Sequence, residues 1–119
     1  MISFETLVSF FEDTRNMKQR GECRFDIDQL CRWSFFMVDH DREKLTLAGR
    51  HLESEGYEIV GFLDPSEESE RQEIYLRFDK VECHTPETLF KRNDELYGIA
   101  RQFELEDYDG MDVGAVDGP

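Results

Sequence analysis

Apolar residues along the chain switch between helical spacing and strict alternation, and the switches outline its elements. Phe4, Leu7, Val8 and Phe11 recur at i, i+3, i+4 and i+7, with Arg15 next in the series. That spacing puts them on one stripe of period 3.6 and predicts a helix over Phe4–Arg20. Ser3 suits its N-cap and Gly21 its end. A polar connector, 22–29, follows. From Leu30 to Val38 the pattern alternates. Cys31, Trp33, Phe35 and Met37 point one way, and Arg32, Ser34, Phe36 and Val38 the other. Both faces turn apolar toward the end, the pattern of a strand covered on both sides there.

Asp39-His40-Asp41 places acids where a second helix begins, at its positive N-terminus. Leu45, Ala48, Gly49 and Leu52 form its stripe, and Gly56 ends it. A second strand is expected over Tyr57–Leu63, with Tyr57, Ile59, Gly61 and Leu63 on one face and Val60 and Phe62 on the other. Asp64-Pro65-Ser66-Glu67-Glu68-Ser69-Glu70 has the composition of a solvated turn. The third strand, Glu73–Val81, sets Ile74, Leu76 and Phe78 against Tyr75, Arg77 and Asp79. Thr85-Pro86 starts a third helix, a hydroxyl cap followed by proline at N1. Leu89, Asn93, Leu96, Ala100 and Phe103 share its inner face, with Tyr97 beside them. Leu105–Val113 is the final strand. The order is α, then β-α-β-β-α-β, the split arrangement of ferredoxin-like domains. The expected class is α+β: an antiparallel sheet with two helices on one face and an extra N-terminal helix (1–21). The 119 residues make one domain. Its last residues, 114–119, are small and polar and are expected to fray.

Charge changes what such a domain can meet. The chain carries 28 acids against 14 Lys and Arg, a net charge of −14. Residues 1–50 are nearly neutral, with nine acids and eight bases, whereas 51–119 hold nineteen acids and six bases. Binding to nucleic acid rests largely on phosphate neutralisation by Lys and Arg, so no direct nucleic-acid partner is expected. Anionic membrane surfaces are disfavoured for the same reason. No basic stretch precedes an apolar one at the N-terminus, and the longest strongly apolar run is Trp33–Val38. Three cysteines, Cys23, Cys31 and Cys83, show no short pairing and read as small buried hydrophobes in a reducing cytoplasm.

Candidate chemistry is thin. Asp107-Tyr108-Asp109-Gly110-Met111-Asp112 has the look of a calcium loop but fails on spacing. Counted from Asp107, position 5 is Met111, position 6 Asp112 and position 12 Gly118, so a turn is expected. Cys83-His84 lies in no metal or nucleophile motif and reads as a buried cysteine followed by a surface histidine. No phosphate-binding glycine loop occurs. No catalytic residue, metal or cofactor is therefore expected. Trp33, Phe35 and Phe36 are either a core strand, the reading preferred here, or a contact surface on an uncovered sheet face.

Three stretches carry a resemblance: Glu55-Gly56-Tyr57-Glu58-Ile59 at the second helix end, Ile74-Tyr75-Leu76-Arg77-Phe78-Asp79 with Cys83 downstream, and Ala100-Arg101-Gln102-Phe103 leading to Tyr108-Asp109-Gly110. In order and spacing, over about residues 30–114, they resemble the regulator of ribonuclease activity B family, protein inhibitors of endoribonuclease E. The resemblance implies a ferredoxin-like sandwich, an acidic surface, no catalysis, and regulation by binding another protein. Well-known members bind the arginine-rich scaffold half of that ribonuclease.

The function expected is that of an acidic, non-enzymatic regulator docking on a basic protein segment through charge complementarity. Glu67, Glu68, Glu70, Asp107, Tyr108 and Asp109 are the contact residues expected. Rival readings are an immunity or antitoxin-like protein neutralising a basic toxic enzyme, a small-molecule-sensing ferredoxin-like domain and, least supported, an enzyme.

Overall fold

A computed structural model describes residues 1–68 and 70–117. The elements follow the order α1 (Phe4–Gln19), β1 (Cys31–Asp39), α2 (Arg42–Ser54), β2 (Glu58–Leu63), β3 (Ile74–Glu82), α3 (Pro86–Gln102) and β4 (Asp107–Gly114). The strands form one four-stranded sheet in the order β2-β3-β1-β4, with every neighbouring pair antiparallel. The chain is thus a mixed α/β protein of three helices and an antiparallel sheet.

The helix boundaries follow from local chemistry. The Ser3 hydroxyl accepts from the Thr6 N–H at 3.1 Å. Asp41 caps α2 by accepting from Glu43 N–H at 2.9 Å. Thr85 and Thr88 cap α3 reciprocally, with the proline ring at a position that needs no N–H. Each helix turns one stripe inward: Leu7 and Phe11 from α1, Leu45, Ala48 and Leu52 from α2, Leu89, Leu96 and Ala100 from α3. These join Trp33, Phe35 and Met37 of β1 and Leu76 and Phe78 of β3 in one core. All three helices therefore cover the same face of the sheet. Trp33 stacks on Phe11 at 6.0 Å between centroids, so the preferred core reading of Trp33 and Phe35 holds, and both are fully buried.

The other face has no helix on it. It carries Arg32, Ser34, Phe36 and Val38 from β1 and Tyr75, Arg77 and Asp79 from β3, in register (Ser34 opposite Asp79, Phe36 opposite Arg77, Val38 opposite Tyr75). The expectation that β1 is covered by layers on both sides is corrected: neighbouring side chains on an open sheet bury Val38.

Two β-bulges shape the edge strands. On β2, Ile59 pairs with Phe78 and Gly61 with Arg77, so Val60 is an extra residue. The expected alternation of β2 breaks there. Ile59 and Phe62 both pack toward the core, while Gly61 (φ 151°) and Leu63 turn to the open face. On β4, Asp109 and Gly110 together oppose Phe36, and Gly110 takes a φ of 102° that costs glycine little. The expected Tyr-Asp-Gly turn is in fact this bulge inside a strand. Bulges and acids on edge strands also oppose edge-to-edge association.

The Cys83-His84 reading is inverted. Cys83 is exposed, and His84 is buried at 6% exposure. The His84 ring lies 2.5 Å from Glu82 through Nε2 and 2.9 Å from Thr88 Oγ1 through Nδ1. Arg92 Nη2 donates to the other Glu82 oxygen at 2.9 Å, and its Nη1 donates to Tyr57 Oη at 2.9 Å. Of the three thiols only Cys31 is buried. Beyond β4, the Val116 carbonyl accepts from Arg32 Nε at 3.1 Å. The two last residues of the stretch expected to fray, 118 and 119, lie outside the described residues.

Candidate docking surface on the open face of the sheet

The open face has two ends of opposite character. At one end, β1 finishes beside the start of β4, with Val38 opposite Asp107. At that same end β3 begins, with Ile74 opposite Asp39, so the acidic 64–73 segment enters the sheet there. Asp107 shares the side of Val38, and alternation through the inward Tyr108 puts Asp109 on that side as well. The extra residue that follows returns Met111 and Val113 to the helix face, opposite Phe35 and Trp33.

Electrostatics show how close these acids are. The Asp109 carboxyl is pushed above the usual aspartate range by partial burial, then by the charges of Asp107 and Glu73. The Tyr75 phenol between them is also raised, by burial and then by Asp109 and Glu73. Like charges held together disfavour the ionised form. Countercharges at this end include Arg71, 3.5 Å from Glu73, and Arg42, which pairs with Asp64. Glu67, Glu68 and Glu70 are exposed on the segment leading in. A cation arriving here relieves repulsion as well as gaining attraction.

Of the contact residues expected from sequence, five are exposed and belong to this end of the sheet: Glu67, Glu68, Glu70, Asp107 and Asp109. Tyr108 is not available. It faces the helices, is 1% exposed, and its hydroxyl donates to Asn93 Oδ1 at 2.6 Å. Burial pushes its phenol pKa strongly upward. Alternation explains the correction: Tyr108 pairs with Met37, a core residue, and so must share its side. Glu73 and Tyr75 were missed. The signal was present in the alternation of Tyr75, Arg77 and Asp79, but only sheet register puts Tyr75 beside β1 and Glu73 near β4.

The other end is built on arginine. Asp79, 1% exposed, accepts from Arg77 Nε and Nη2, both at 3.2 Å, and from Arg32 Nη1 at 3.3 Å. Arg32 Nη1 also donates to Glu58 at 2.8 Å. The Asp79 carboxylate thus lies beneath two guanidinium groups that cover it from water.

Among the described residues no group of three or more His, Cys, Asp or Glu is arranged to hold a metal ion. No helix among them is long and apolar enough to cross a membrane. What the arrangement offers is a charged, partly apolar sheet face backed by the packed core. Comparison with protein families matches residues 12–113 to regulator of ribonuclease activity B. The chain belongs to that family, whose role is regulatory. The match begins inside α1, well before the region that carried the sequence resemblance. No curated protein matches the chain.

Proposed function

We propose that this protein is a non-enzymatic, cytoplasmic regulator that docks an arginine-rich protein segment on the acidic end of its open sheet face. Family membership supports regulation of a ribonuclease through a protein partner. The finer target, by resemblance, is the scaffold half of endoribonuclease E. The β-α-β-β-α-β order, with α2 and α3 on one face, supports reading the fold as ferredoxin-like with an added N-terminal helix. The observation that carries the docking reading is Asp109, kept short of easy ionisation by burial and by Asp107 and Glu73. A guanidinium placed among these three carboxylates replaces repulsion by charge-assisted hydrogen bonds.

The test uses purified endoribonuclease E with and without its arginine-rich half, titrated with this protein at rising salt. Binding is expected only with that half present and should weaken as salt rises. Combining Glu73→Gln, Asp107→Asn and Asp109→Asn should weaken it further without lowering the melting temperature. Binding that is indifferent to salt, or unchanged in the triple variant, would remove the acidic end from the interaction.

A further inference from the structure

The arginine end of the open face encloses a groove of about 450 Å³, between the start of β1, the end of β4 and the loop after α1. Its size lies within the range of small-molecule sites and is too small for a folded partner. Two half-buried rings, Phe25 and Phe36, give it apolar walls. Three guanidinium groups line it, those of Arg24, Arg32 and Arg77. Among the described residues Arg24 has no ion-pair or hydrogen-bond partner, and Arg77 Nη1 and Arg32 Nη2 have no acceptor. Ser34 is 8% exposed, lines the groove, and has no hydrogen-bond partner for its hydroxyl among the described residues. The Ser34 hydroxyl, open to the groove, and the free guanidinium N–H groups beside it form a donor set that an acceptor can fill.

Local charge narrows the ligand. Asp79 and Glu58 already neutralise much of Arg32 and Arg77, and Asp112 stands on the wall. Glu22, also on the wall, is held by Arg20 at 3.0 Å. Three cations against three acids make the groove neutral overall, so unpaired Arg24 can meet a single added negative charge and a polyphosphate would go uncompensated. Guanidinium donors fit a carboxylate's two oxygens, while the phenyl walls fit a flat apolar body. We infer that this groove binds a small monoanionic carboxylate with an aromatic or planar body, with Arg24 and Ser34 holding the carboxylate and Phe25 and Phe36 its body. The site is separate from the acidic end, and the inference stands whether or not a ribonuclease docks there.

The experiment titrates the full chain with 3-phenylpropionate and follows amide shifts by NMR alongside calorimetry. Saturable binding below about 1 mM is expected, a modest efficiency for a ligand of this size. Shifts should centre on 22–25, 32–36 and 112–115. Arg24→Gln should weaken binding about tenfold, the effect of one lost charge-assisted hydrogen bond. Ser34→Ala should weaken it less. Both positions lie outside the core, so folding is checked by unchanged shift dispersion. The neutral amide of the same acid, and inorganic phosphate, should bind at least tenfold more weakly. Equal binding of the amide or of phosphate, no loss in Arg24→Gln, shifts centred elsewhere, or no saturation would each overturn the inference.

Discussion

Tyr108 separates scaffold from surface in this protein, and Tyr108→Phe tests that separation. The substitution removes one oxygen and leaves the ring packed against Tyr97, whose centroid lies 5.0 Å away. It strands Asn93 Oδ1, on a residue only 2% exposed, without its 2.6 Å donor. A buried acceptor left unsatisfied costs about 1–3 kcal/mol. Unfolding entropy of about 2.1 cal/mol/K per residue gives about 0.25 kcal/mol/K for a chain of this length. A loss of about 1–3 kcal/mol should therefore lower the melting temperature by about 4–12 °C. Calorimetry on Tyr108→Phe measures it. Adding Asn93→Leu should recover part of the loss, because replacing both partners leaves no orphaned group. Affinity for an arginine-rich peptide should stay unchanged in both variants. An unchanged melting temperature together with weakened peptide binding would refute the reasoning and put Tyr108 back on the contact surface.

Two further outcomes follow from perturbed carboxyls. Asp109 has a folded pKa raised above its unfolded value, so its contribution favours the fold at low pH and is lost as pH rises through the folded pKa. Asp109→Asn should accordingly raise the melting temperature at pH 7, with the gain vanishing below the ordinary aspartate value of about 3.9. A gain that persists at low pH, or a loss at neutral pH, would contradict the repulsion seen at the acidic end. Glu82 behaves oppositely. Burial alone would raise its pKa, but His84 and Arg92 more than offset this and hold it below the usual range. Its stabilisation is present above the unfolded value of about 4.3 and is lost as pH falls through the folded one. Glu82→Gln should destabilise at pH 7 and converge with the parent in acid. Equal destabilisation across that range, read from thermal melts, would mean that the charge is not what matters.

Much of the architecture was legible in the chain because it depends on short-range chemistry. Helix stripes such as Leu45, Ala48, Gly49 and Leu52 need only a period of 3.6, and all four are buried as that period requires. Caps at Ser3 and Thr85 depend on residues three positions apart. The candidate site was legible only in its composition. Its acids could be counted, but neighbours such as Glu73 and Asp109 are far apart in sequence and meet only through β3 and β1. His84 was misread because nothing local announces that Glu82 and Thr88 will bracket its ring.

What the sequence by itself determined was the element order, the inward face of each helix and the acidic imbalance of the second half. These are set by periodicity and composition, which folding does not alter. Tertiary structure decided which strand residues face water. A bulge of one residue reverses the alternation of β2, and another resets that of β4, so that Tyr108 and Met111 both face the helices. Bulges depend on the partner strand's register, and register is a property of the assembled sheet. The same assembly separated the charges of the open face, gathering Glu73, Asp107 and Asp109 at one end and Arg24, Arg32 and Arg77 at the other.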